Sequence, residues 1–398
     1  MAVSYLRPLI IMLVVQSDLF AHCWTDDWRL MPHYLTKQLI HFVEMLPCNR
    51  PGVPGEKRGA TVIAHSLGGM LIRHAVNQRP ELFKGVVYAG VPNTCVNILG
   101  PMRNGDEVLL SERVLTAQVN FTIRTSFALL PLDGRCFFDK ETKEEYPIDF
   151  FDVQHWIDYK LSPCVGRPLP PLNAQPKQTG ITSYVSSITS ALPSLPSLPL
   201  SSRKSTLKAK DQSDLSSVTT PRGDAPSDID ISKTRSDNAV KTSKLGLYDD
   251  DSSTSVRTAV TIPHEKAVEY LSRTLASVKQ FKQELAFIPA HAESNLYPPA
   301  AVIYGKSTPT VYGAKVNGRQ GIKHADAYDS LVFASGDGVV LARAAMVPEG
   351  YPTVRGGIVA SDRGHVTLLG DLEAVGKCLN AVMASRRKGV GCGNASPP

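Results

Sequence analysis

No stretch of this 398-residue chain is apolar for long enough to span a bilayer, which takes about 20 consecutive apolar residues. The segment Leu6 to Val15 has an arginine before a short apolar run and no small-residue cleavage site behind it. It reads as a strand or as a signal-like segment, with the strand favoured. Cysteine pairing signals are also missing. The seven cysteines, Cys23, Cys48, Cys95, Cys136, Cys164, Cys378 and Cys392, are scattered and odd in number, without C-x-x-C spacing. That argues against both a disulfide framework and a cysteine-built zinc site. Charge of one sign is lacking too: 43 basic residues face 37 acidic ones, and the net charge of +6 forms no cluster. Nucleic-acid binding is therefore not expected.

What is present is an ordinary globular composition, 42% hydrophobic and 20% charged, in a chain long enough for one large α/β domain plus extra material. The stretch that speaks is Thr61 to Met70, T-V-I-A-H-S-L-G-G-M. Its β-branched opening is too short for a helix and reads as a buried strand. From Leu67 a helical period takes over and Pro80 stops it after Arg79, before the strand-like run Gly85 to Ala89. Strand, turn, helix, strand is a βαβ unit of a parallel sheet, with Ser66 at the turn.

Ala64-His65-Ser66-Leu67-Gly68 fits the nucleophile-elbow pattern, small residues standing two positions either side of a serine. Such a turn lifts the hydroxyl to a helix N-terminus, where the backbone N–H of Leu67 can face a developing oxyanion. A serine near neutral pH needs a base, and the base needs an orienting acid. In α/β-hydrolases these follow in the order serine, acid, histidine, on loops after later strands. Asp337, in G-D-G after a strand candidate at Leu331 to Ala334, and His365, after Ile358 to Ala360, meet that order. His155 and His324 are weaker candidates for the base, and His65 reads as a packing residue directed away from the serine.

Around these motifs the chain divides into five parts: an apolar segment 1–19, a first α/β part 20–165, an insertion 166–257, a second α/β part 258–385 and a flexible tail 386–398. The insertion is rich in Ser, Pro, Thr, Lys and Asp and has no apolar period, so it reads as disordered. Other expected helices are Pro32 to Leu46, one with Pro263 in its first turn and Val268, Leu271, Leu275, Val278, Phe281 or Phe287 and Leu285 on its apolar face, and a closing one over Leu368 to Met383. Ala300 to Tyr304 reads as a strand. The aromatics of Phe121 to Leu130, Phe137-Phe138 and Phe150-Phe151 fit either a lid or acyl pocket, or plain core.

Five pieces taken together resemble the lecithin:cholesterol acyltransferase family, which includes phospholipid:diacylglycerol acyltransferases and lysosomal phospholipases. They are D-W-R-L at Asp27 to Leu30, the A-H-S-L-G-G elbow, I-Y-G-K-S-T-P-T at Ile303 to Thr310, G-D-G-V-V from Gly336, and G-H-x-x-L-L-G around His365. The resemblance covers about residues 20–165 and 263–385. It implies an α/β-hydrolase-like fold, a mostly parallel sheet flanked by helices and interrupted by the insertion. It also implies a lipid O-acyltransferase: Ser66 as nucleophile takes an acyl group from a phospholipid or other ester, His365 as general base activates the accepting alcohol, and Asp337 orients the imidazole. Lipid ester hydrolysis, or a non-catalytic truncated homologue, are the alternatives. The implied partners are lipid substrates at a membrane surface, with an intracellular membrane favoured over secretion; no metal or organic cofactor is indicated. Asp26 stands where the family has Tyr, and Ala64 where it has Gly. The family's early strand and the glycine-bearing loop that supplies a second oxyanion donor find no counterpart in Met1 to Phe20, as expected for an N-terminally incomplete form.

Overall fold

The computed structural model describes residues 12–15, 21–24, 27–106, 115–166 and 262–394. Residues 1–11 and 16–19 of the apolar segment, Asp26, nearly all of the expected insertion and residues 395–398 of the expected tail lie outside the described residues. Those described belong to one contact unit.

The frame is a six-stranded sheet, mostly parallel and flanked by helices, an α/β architecture. Its strands are β1 (Met12–Val15), β2 (Ala21–Trp24), β3 (Ala60–His65), β4 (Phe83–Ala89), β6 (Ala300–Gly305) and β9 (Thr353–Ser361), in the spatial order β2-β1-β3-β4-β6-β9. The last four run parallel, and β1 is antiparallel to both its neighbours. Met12–Val15 of the apolar segment thus forms a strand, paired with Thr61 to Ala64.

Side chains alternate across the sheet as the two-residue period requires. Val62, Ala64, Val86, Tyr88 and Val302 join the larger core on one face, whereas Ile63, Val87, Ala89, Ala301 and Ile303 join a smaller core on the other. The larger face is covered by α1 (Pro32–Glu44) and α2 (Leu67–Gln78). Short helices α3 (Leu99–Asn104), α4 (Ala117–Thr122) and α5 (Val153–Asp158) follow, and the long α6 (His264–Glu284) packs against α1 and α2. After the single turn α7 (Pro289–Glu293), the chain enters β6. The smaller face is covered by α8 (Leu372–Arg387), which runs so close to β4 that a side chain at Gly85 would collide with Val382.

Three expectations change. Pro263 is the residue before α6 rather than inside its first turn, and Phe281, not Phe287, is buried on the helix stripe; Phe287 lies past the helix end and stacks on Tyr297. The closing helix begins at Leu372, because His365–Gly370 is a separate 3-10 turn and Asp371 caps α8 by accepting from the Ala374 N–H. Part of the supposedly flexible tail is docked: Asn295 Nδ2 donates to the carbonyls of Gly389 and Gly393, and its Oδ1 accepts from the Gly391 N–H.

A second, three-stranded sheet was not expected. It joins β5 (Phe137–Asp139), β7 (Thr308–Val316) and β8 (Leu331–Gly336) in the order β5-β7-β8. The strand before Asp337 therefore belongs to this small sheet and not to the main one. Phe121, Phe127, Phe137 and Phe150 are at most 1% exposed and belong to the main core, so they act as packing residues.

Candidate active site

The site forms where β3, β4, β6 and β9 end. Ser66 connects β3 to α2 with φ 55° and ψ −135°, a conformation that costs a non-glycine residue about 1–3 kcal/mol and persists because its surroundings hold it. Its own N–H donates to the Ala89 carbonyl at 2.9 Å, stitching the turn to β4. Ala64, on the strand side, is fully buried. On the helix side a side chain at Gly69 would collide with Val91. The tight approach therefore involves the residue after the second small position of the motif. Leu67 opens α2, where the first backbone N–H groups of a helix have no partner within it.

The Ser66 hydroxyl donates to His365 Nε2 at 2.9 Å, and His365 Nδ1 donates to Asp337 Oδ2 at 2.8 Å. All three residues are buried, and the His365 and Asp337 side chains are each 1% exposed. Three residues separated by up to 299 positions thus share one line of hydrogen bonds. In such a line, attack by the serine oxygen can pass its proton to the imidazole while the carboxylate stabilises the cation that forms. The same imidazole can then take a proton from an alcohol or a water.

The loops that carry acid and base are built to hold them. Asp337 Oδ1 accepts from the N–H groups of Val339 and Val340 at 3.0 and 2.7 Å, and the Asp337 carbonyl accepts from the His365 N–H at 2.9 Å. Gly338, at φ +93°, donates its N–H to Thr310 Oγ1 at 2.8 Å. A side chain at Gly305 would collide with Asp337. The glycine and threonine of the I-Y-G-K-S-T-P-T stretch both serve the acid, which explains in physical terms why those residue types stand there.

His65 does not point away from the site. Its ring packs on His365 with centroids 4.8 Å apart, and its Nε2 donates to the His365 carbonyl at 2.9 Å. Burial pushes His65 down to about 4 from an ordinary 6.5, and the neighbouring His365 adds to the fall, against the raising effects of that hydrogen bond and of Asp337. It is a neutral positioning residue beneath the base. His155 and His324 do not reach the serine: His155 Nδ1 accepts from the Asp149 N–H, and the His324 backbone carbonyl accepts from Arg103.

Two contributors escaped the sequence reading. Gly90 has φ +56°, and a Cβ there would lie 2.9 Å from Leu368, 3.1 Å from Asp337 Oδ2 and 3.2 Å from His365 Nδ1. Any side chain would press into the acid–base pair; the only signal was a glycine directly after a strand. Lys282 was the second. Its Nζ donates to the carbonyls of Asn93 and Ala128 at 3.0 and 2.7 Å, while Arg73 donates to Asn93 Oδ1 at 2.6 Å. Burial, with Arg73 nearby, pushes Lys282 down to about 7. These groups pin the loop that follows β4. The signal was a lysine four residues after Val278, inside the apolar stripe of α6.

No family model matches the chain. It is 34% identical over 365 residues to the uncharacterized protein YJR098C of Saccharomyces cerevisiae, an alignment that takes in 91% of this chain. The chain spans about half, 49%, of the length of that curated relative.

Proposed function

We propose that this chain is a lipid O-acyltransferase of the lecithin:cholesterol acyltransferase type on an α/β-hydrolase fold. Ser66 is the nucleophile, His365 the general base and Asp337 the acid that orients it, with the Leu67 N–H as one oxyanion donor. The observation that carries the reading is the buried hydrogen-bonded line Ser66 Oγ, His365 Nε2, His365 Nδ1, Asp337 Oδ2, with steps of 2.9 and 2.8 Å. It is supported by the order serine, acid, base along the chain and by the strained serine between a parallel strand and a helix. The five motifs supply the substrate class, lipid esters at a membrane surface. Val366 and Leu372, 72% and 78% exposed close after the base, are apolar groups suited to such a surface. Among the described residues no helix is long and apolar enough to cross a membrane, so contact at the surface is the mode proposed.

Incubation with labelled phospholipid plus a sterol or diacylglycerol tests the reading. The expected result is an acylated acceptor that disappears in Ser66→Ala. Free fatty acid appearing in place of that product, even with abundant acceptor, would reassign the chain to the lipases, since water and alcohol differ only in what the pocket admits. Failure of Ser66 to react with a fluorophosphonate probe would make the chain non-catalytic, because an unactivated serine reacts poorly.

A further inference from the structure

At the far end of α2 from Ser66, three helices bring together a second set of chemically capable side chains. His33 stands in the first turn of α1, His74 in α2, and Glu284 is the last residue of α6. His33 Nε2 lies 2.9 Å and His74 Nε2 2.7 Å from the same oxygen, Glu284 Oε2, and the three possible ligand atoms all fall within 4.8 Å of one another. We propose that His33, His74 and Glu284 form a binding site for one zinc-type divalent cation.

Two imidazole nitrogens and one carboxylate oxygen are a donor set that zinc accepts, with a fourth position left open. Zinc held at about 2.0–2.1 Å from each donor in a tetrahedron needs donors about 3.3 Å apart. The two distances to Glu284 fall short of that by about half an ångström, so the carboxylate must swing outward slightly. It can: the Glu284 side chain is 39% exposed and ends its helix, whereas His74 is fixed at 2% exposure. The fourth position has somewhere to open, because the cluster lines a cavity of about 460 Å³ shared with Lys37, Asn77 and Gln78.

The surroundings suit the ligands. Histidine binds a metal only when neutral, and His74 is buried. Glu284 Oε2 faces a ring nitrogen of each histidine. Gln280 Nε2 donates to the other oxygen, Oε1, at 2.7 Å and leaves Oε2 as the donor atom. The Thr36 hydroxyl lies 3.0 Å from His74 Nδ1. A hydroxyl both donates and accepts, so Thr36 satisfies His74 in either tautomer. The proton can therefore move from Nε2 to Nδ1 when a cation arrives without leaving a buried atom unpaired. Outer partners of this kind orient metal-ligating histidines. The consequence is mechanical: one ion would tie the end of α6 to α1 and to α2, the helix that follows Ser66.

The test uses the full chain after chelator treatment, in equilibrium dialysis against Zn²⁺ alone, with Mg²⁺ and Ca²⁺ in parallel and Cys392→Ser as the background to remove the exposed thiol. One zinc per chain is expected, with no retention of the oxygen-seeking Mg²⁺ or Ca²⁺. Glu284→Gln keeps the side-chain shape and removes the charge; His33→Asn alters the half-buried ligand on a different helix. Each should weaken zinc binding at least tenfold while leaving the far-ultraviolet circular dichroism unchanged. Saturating zinc should raise the melting temperature by about 5–10 °C in the parent and not in the variants. No retained zinc, or retention equally tight in both variants, would overturn the site. Metal retention does not depend on acyl chemistry, so this result stands apart from that of the transfer assay.

Discussion

The two ends of α2 each set an imidazole against a carboxylate, but with a different group in the middle of the line. At its N-terminus an imidazole lies between a hydroxyl and a carboxylate, with acid and base 1% exposed. At the far end a carboxylate lies between two imidazoles and is 39% exposed. With the base in the middle, a proton has a path from one neighbour toward the other, and burial keeps the geometry fixed. With the carboxylate in the middle, both neighbours donate to it and neither is placed to pass a proton on to a third group, so the cluster suits holding rather than transferring. The difference teaches that the group in the middle, together with what flanks it, decides what such a trio can do.

The comparison breaks first at the acid. Asp337→Asn preserves shape but offers the imidazole an amide, and fluorophosphonate labelling of Ser66 should slow about 10⁴-fold. A loss under tenfold would mean that the buried carboxylate orients nothing. Gly90→Ala comes next. Its Cβ would meet the acid–base pair in a backbone conformation that alanine resists, so labelling should fall about 10²-fold and stability by about 2 kcal/mol. Urea denaturation and labelling rates, measured on the same sample, report both.

His65 sharpens the contrast through pH. It is neutral in the fold at about 4 against an ordinary 6.5, so between those values the unfolded chain binds the extra proton. Stability present above pH 6.5 is therefore lost as the pH falls toward 4, by about 2 kcal/mol between pH 7.5 and 5. His65→Asn should remove this slope in urea denaturation at the two pH values; an unchanged slope would assign it to other groups. The smallest effect belongs to the far end. Glu284→Gln should alter Ser66 labelling less than twofold, and a tenfold change would show the two ends to be coupled through α2.

Much of the serine's neighbourhood was legible because its cause is local. Thr61 to Gly68 carries the strand, the small residues and the helix start within eight positions, and the loops of Asp337 and His365 announce themselves by glycine and by order along the chain. The small sheet was harder to read. β7 contains a proline and two small residues, and β5 is only three residues long, so neither shows a persistent alternation. His65 was misread because period-two reasoning gives a side chain's direction from its own strand but not what a distant loop lays over it; the 3-10 turn at His365–Gly370 supplies that.

The strands and helices around the serine, and their order, were thus determined by the sequence alone, since propensity, apolar period and turn chemistry act over a few residues at a time. Which groups meet was decided by the tertiary structure. Gly90 against the acid–base pair, Lys282 beneath the loop after β4, and Glu284 between His33 and His74 join residues as much as 275 positions apart along the chain. Such meetings carry no periodic signal, because a contact between distant segments depends on how helices and strands pack and not on how the residues are spaced.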